Sequence, residues 1–133
     1  MKMRFFIGDG SGNVLMKSIK MIKISGVYYY KKDFKTSLDI QNFYRKIYHS
    51  ANNIEEVVYY NSNHDKIHRF YLYCRLHNVF GPAHIETNKS KKDYIRKEYY
   101  INGVHCSYNE WLKNPIVVHT KREHKLKRIL CTI

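Results

Sequence analysis

From Thr36 to Asn53 the chain reads TSLDIQNFYRKIYHSANN, with Ile40, Phe43, Tyr44 and Ile47 recurring at i, i+3, i+4 and i+7. That spacing gathers apolar side chains into one stripe of an α-helix. Thr36 or Ser37 can cap its amino end with a side-chain oxygen, and Lys46 and His49 fall in the last turn, where cations meet the helix dipole favourably. The pattern predicts an amphipathic helix over residues 36–50.

Ahead of this helix the period is two. Phe5, Phe6 and Ile7 end at the cluster GDGSGN, whose glycines supply the positive φ angles of a tight turn. In VLMKSIKMIKI, alternation puts Met16, Ser18, Lys20, Ile22 and Ile24 on one face. Leu15, Lys17, Ile19, Met21 and Lys23 fall on the other, so neither face is purely apolar. Gly26 breaks the run, and VYYY resumes with residues that favour strands. An antiparallel β-meander over residues 1–34 is expected.

Beyond Val57 the chain repeats itself. VVYYNSNHDKIHRFYLYCRLH (57–77) aligns without gaps on IETNKSKKDYIRKEYYINGVH (85–105), 28 residues later. Identities fall at Ser62/Ser90, Asp65/Asp93, Ile67/Ile95, Tyr71/Tyr99 and His77/His105. Both copies read as strand, polar loop, strand, tight turn and histidine, the signature of stacked hairpin units. FGPAHI forms the corner between them, because Pro82 lacks a backbone donor and Gly81 permits a sharp bend. After the second copy, SYNEW matches a capping box with Ser107 at the N-cap and Glu110 at N3, opening a short helix that Pro115 follows. IVV (116–118) reads as a further strand. TKREHKLKRILCTI closes the chain with Leu126, Ile129 and Leu130 on one helical face.

The fold class expected is α+β: an N-terminal antiparallel β-meander, one central amphipathic helix, a C-terminal sheet from two degenerate β-hairpin repeats (57–113) and a basic helical tail (115–133). A chain of 133 residues fits a single domain with a modest core, and 44% apolar with 15% aromatic residues is a globular composition. No apolar run approaches the ~20 residues that span a bilayer. MKMRFFIGDGSGN turns polar without an apolar h-region, so no secretory signal is expected. Cys74, Cys106 and Cys131 are an odd, sparse set, which reads as reduced thiols in an intracellular setting.

FGPAHI followed by IRKEYYINGVHCSYNEWLK resembles the short Gly-Pro-Ala hairpin repeats of large DNA viruses and bacteriophages. The matching residues are Gly81, Pro82, Ala83, Ile85, Ile95, Glu98, Tyr99, Tyr100, Asn102, Gly103 and His105. The resemblance covers about residues 57–113 and extends distantly to MORN-type hairpins. In the first copy Cys74-Arg75 stands where the second has Asn102-Gly103, a departure at the tight turn. Such repeats imply an interaction surface and bring no catalytic residues.

The formal net charge is +13, from 24 Lys and Arg against 11 Asp and Glu. Such an excess points to a polyanionic partner, DNA or RNA. An AT-rich genome would raise lysine by codon usage alone, but it accounts less easily for so few carboxylates. Cations interleave with aromatics in VYYYKKDF, FYRKIYH and IHRFYLYCR, a composition suited to stacking bases while neutralising phosphates. The candidate phosphate contacts are Lys31, Lys32, Arg45, Lys46, Arg69, Arg75, Lys121, Arg122, Lys125, Lys127 and Arg128. The alternative is a protein partner, or a second copy of the chain, on a tyrosine-rich repeat face. No membrane partner is expected, because the apolar face of the tail is only three residues wide.

Other chemistry is thinner. Cys74 and His77 with His105 and Cys106 would make a four-ligand zinc set, yet adjacent residues of a strand point to opposite faces. Histidines closing strands at a turn are the simpler reading, and no metal or cofactor is expected. GDGSGN lacks the Lys-Ser/Thr pair of a phosphate-binding loop. The scattered carboxylates do not pair with a histidine base, and His-x-Ser occurs once, at His105. A non-enzymatic protein is expected.

Overall fold

A computed structural model describes residues 18–61, 63–88 and 95–131. The first strand expected at Phe5–Ile7 and the GDGSGN turn lie outside the described residues. The strands are β1 (Ile19–Ile24), β2 (Val27–Tyr30), β3 (Ile54–Tyr60), β4 (Lys66–Leu72), β5 (Arg75–Leu76), β6 (His84–Thr87), β7 (Ile95–Ile101) and β8 (Val104–Cys106). The helices are α1 (Ser37–His49), α2 (Tyr108–Lys113) and α3 (Pro115–Cys131). The fold is α+β. Its eight-stranded antiparallel sheet runs in the order β2-β1-β3-β4-β6-β7-β8, with β5 also paired to β4.

The ambiguous faces of the first described strand are resolved by a bulge. Ile19 pairs with Tyr59 but Met21 pairs with Val58, so β1 spends one extra residue there. Ile19 thereby joins Ile22 and Ile24 on one face. A second irregularity, between Lys23 and Ile24, puts an extra residue in β3, so that Ile54 and Val57 also share a face. These side chains pack with Phe43 and Ile47 of α1, together with Tyr59, Ile67 and Tyr71. Burying each large apolar side chain contributes about 1.5–3 kcal/mol. Thr36 caps α1 by accepting a hydrogen bond from the Asp39 N–H at 3.0 Å.

A second, smaller core forms on the opposite face at the other end of the sheet. Ile101 packs with Trp111 of α2 and Val117 of α3, with Val79, Tyr99 and Cys106 alongside. The Ser107–Glu110 capping box is made from both sides, with Glu110 N–H donating to Ser107 Oγ at 3.1 Å and Ser107 N–H to Glu110 Oε1 at 2.8 Å. The Trp111 indole N–H donates to the Asn78 carbonyl at 2.9 Å, tying α2 to the corner between the hairpins. Residues 116–118 are not a strand. They lie in the first turn of α3, where Pro115 needs no backbone donor and Asn114 Oδ1 accepts from the Ile116 N–H at 2.9 Å.

The two hairpins are present, but their register corrects the gapless alignment. Lys66 and Ile95 open the equivalent strands and Leu72 and Ile101 close them, a spacing of 29 rather than 28. One residue of slip exchanges the faces of a strand. Tyr71 is therefore matched by Tyr100 and not Tyr99, and His77 falls opposite Cys106 while His105 falls opposite Leu76. The turn of the first copy does form, one residue earlier than aligned, at Tyr73 and Cys74 with φ of 47° and 66°. Its counterpart is Asn102-Gly103 with φ of 51° and 83°. Both are two-residue loops with positive φ at each central position, which suits Asn-Gly and strains Tyr-Cys. Tyr73→Asn is expected to raise stability by about 1 kcal/mol. The urea midpoint measures it, and an unchanged midpoint would show the turn to be unstrained.

Candidate nucleic-acid interface

Strand pairing assigns each side chain to a face. Helix α1 covers the face of Ile22, Val57 and Ile67, whereas Tyr28, Tyr30, Lys23, Tyr60, His68 and Phe70 project from the other. Tyr28 and Tyr30 are exposed, with ring centroids 6.4 Å apart and planes within 16° of parallel. The Lys23 ammonium lies 5.1 Å from the Tyr28 ring and that of Lys32 lies 5.6 Å from Tyr30. Further along, His68 stacks on Phe70 at 4.7 Å.

A groove of about 680 Å³ crosses this face from Lys23, over Phe70 and Ile85, to Phe80. Phe80 also walls a second groove of about 510 Å³, whose far side is α3 with Lys121, His124, Lys125, Arg128 and Ile129. Phe80 thus lines both grooves. Two carboxylates border the first groove and both are engaged. Glu55 accepts from the Gly26 N–H at 2.7 Å and pairs with Lys23 at 3.5 Å, while Glu56 lies 2.6 Å from His68 Nε2.

The cations expected from the sequence divide among several places. Lys121, Lys125 and Arg128 line the α3 groove, while Arg122 and Lys127 are exposed on the same helix. Lys32 sits beside the tyrosine pair. Lys31 and Lys46 lie at the α1 side of the sheet, over Tyr44 at 5.3 Å and Tyr29 at 4.3 Å, and Lys46 also donates to the Tyr29 hydroxyl at 3.2 Å. Arg45 is exposed on α1, and Arg75 is exposed on β5 with its stem beside Gly103. Lys23, absent from the expected set, is the cation that joins the tyrosines to the groove. Its alternation with Met21 on the strand face was the only available signal.

Arg69 occupies a different setting, half-buried on the α1 face within a polar network. Its Nε–H donates to His84 Nδ1 at 2.9 Å, so the neutral imidazole carries its proton on Nε2, 3.7 Å from Glu86. Arg96 bridges Glu86 at 3.9 Å and Glu98 at 2.6 Å, and the Tyr100 hydroxyl donates to Glu98 at 3.0 Å. Burial, reinforced by the Arg69 charge, holds the His84 pKa below its ordinary value. Burial alone does the same to His77. Burial pushes Glu98 upward, but the Tyr100 hydrogen bond and the Arg96 charge outweigh it and leave its pKa lowered. The network escaped the sequence reading. Its one trace is polar residues two apart, His84 with Glu86 and Arg96 with Glu98.

The four residues of the alternative zinc set do not converge. The Cys74 thiol donates to Asn52 Oδ1 at 3.1 Å, His77 Nδ1 accepts from the Asn102 N–H at 2.9 Å, and His105 and Cys106 face opposite sides of β8. Among the described residues, no three His, Cys, Asp or Glu side chains are grouped to hold a metal ion. No described helix is long and apolar enough to cross a membrane. Comparison with known proteins finds no matching family model, no matching curated protein and no matching solved structure.

His84 and His77 bind protons less readily folded than unfolded, so the unfolded chain gains protons first as pH falls below about 6.5. Stability is therefore full above that value and declines on acidification, with the loss of Glu98's contribution following at lower pH. The thermal midpoint is expected to drop between pH 7.5 and 5.5, and less so in His84→Gln, whose amide oxygen can still accept from Arg69. Identical drops in the two proteins would place the proton uptake elsewhere.

Proposed function

We propose that this chain is a non-enzymatic viral protein that binds DNA or RNA electrostatically, with little sequence specificity, inside the host cell. The observation that carries the reading is the groove between Phe80 and α3, whose charged lining residues, Lys121, Lys125 and Arg128, are all cationic. Cations on a flexible stem meet phosphates as point charges and read no base edges, so affinity comes without sequence discrimination. The resemblance of residues 57–113 to viral hairpin repeats and the lysine-rich composition support the viral part of the reading.

A second reading, a protein partner or a second copy of the chain, is favoured by one observation. Leu126 and Leu130 are 58% and 62% exposed on α3, which leaves apolar surface unpartnered on a basic helix.

Fluorescence anisotropy with labelled DNA and RNA across a salt series separates the two. Contact with about five phosphates gives a slope of roughly −3.5 in log K against log salt on a single strand. Replacing Lys121, Lys125 and Arg128 by Gln is expected to make that slope shallower by about 2 units while leaving circular dichroism unchanged. Absence of binding at low salt, with a concentration-dependent dimer by light scattering, would favour the second reading.

A further inference from the structure

We infer that Tyr28 and Tyr30 form a stacking platform for two unpaired bases, making single-stranded nucleic acid the preferred ligand over duplex. The inference rests on the nucleic-acid reading above and deepens it by naming the strand type. Tyr28 and Tyr30 stand two apart on an extended strand, so both rings leave the same face of the sheet. They are 47% and 42% exposed, although Tyr29 between them is turned inward against the core. Their centroids lie 6.4 Å apart with planes only 16° from parallel. That is the geometry of an offset-stacked pair, close to that of Tyr108 and Trp111 at 6.1 Å and 20°. Trp111 is buried, whereas Tyr28 and Tyr30 are both exposed, so the strand presents this parallel pair to solvent.

Each ring is served by its own ammonium, Lys23 for Tyr28 and Lys32 for Tyr30. A base stacked on Tyr30 brings its phosphate to Lys32, whereas Lys23 shares its charge with Glu55 at 3.5 Å. Among the described residues β2 is the terminal strand of the sheet. In a duplex the bases are stacked on one another and turned inward. Rings rising from a sheet surface therefore reach only bases that have left the helix. The lysines serve both ligands, whereas the rings serve only the single strand.

The test compares a labelled oligothymidylate with a labelled duplex of equal length at one salt concentration. Wild-type protein is expected to bind the single strand roughly tenfold or more tightly. The Tyr28→Val/Tyr30→Val variant keeps strand propensity and removes the rings. It is expected to lose that preference while retaining duplex affinity and salt slope, and Tyr73→Ala, at an exposed tyrosine elsewhere, is expected to retain the preference. Wild-type protein that favours the duplex or binds both equally overturns the inference without any variant, and leaves the function reading standing. Equal loss on both ligands in the valine variant, or no loss on either, also overturns it. Failure of the wild-type protein to bind either ligand in a salt-sensitive way overturns the function reading itself.

Discussion

Two bulges, one in β1 and one in β3, decide which face of this sheet is dry. Without the extra residue between Ile19 and Met21, strict alternation would place Ile19 opposite to Ile22 and Ile24, and without the one at Glu55, Ile54 would leave Val57. With both, one continuous apolar strip runs under Phe43 and Ile47 of α1. The residues displaced by the same shifts, Lys20 and Glu55, stay out of the core. The polar ladder beyond β4, the tyrosine pair on β2 and the position of the groove all follow from that assignment of faces.

Helical cover is uneven as a consequence. Helix α1 protects the first face over β1 and β3, and α2 with the start of α3 protects the second face at β7. Over β6 and β7 the first face carries charge in place of apolar residues, and its charges are linked side to side from Arg69 to Tyr100. Removing one partner from such a network leaves another buried and unpaired, which makes the arrangement specific about register even where it adds little net stability. On the second face, the strands between the tyrosine pair and Phe80 are left as a groove. Fold and candidate interface are thus two outcomes of one unequal distribution of helices.

How much of this could be read from the sequence varies with how local the cause is. Helix α1, its Thr36 cap and the Ser107–Glu110 box were legible because every determinant lies within a turn or two of chain. The hairpins were legible as units, yet the identity of Tyr71 with Tyr99 drew the alignment one residue off. Strand faces depend on pairing partners, which residue matching does not contain. The turn at Tyr73-Cys74 was hidden for a related reason, since the surrounding strands impose a conformation that neither residue favours. IVV reads as a strand by β-branching, and helix α3 overrides that preference by burying Val117 against Trp111. The network around His84 requires the β4–β6 and β6–β7 registers together, which no single segment encodes.

The charge balance also looks different once its members are placed. Codon bias can raise lysine, but it does not determine where carboxylates go. Every glutamate has a structural contact: Glu55 with Gly26 and Lys23, Glu56 with His68, Glu86 and Glu98 with Arg96, Glu110 in the cap of α2, and Glu123 with His119 on α3. The glutamates are therefore engaged at strands and helix ends, and on α3 Glu123 alone stands against Lys121, Arg122, Lys125, Lys127 and Arg128. The summed excess of cations along that helix gives it a positive field. The field is strongest in effect where a concave, partly apolar surface lies beside it. That condition is met in the groove between Phe80 and α3, lined by Lys121, Lys125 and Arg128, which is the physical reason to look for a polyanion there.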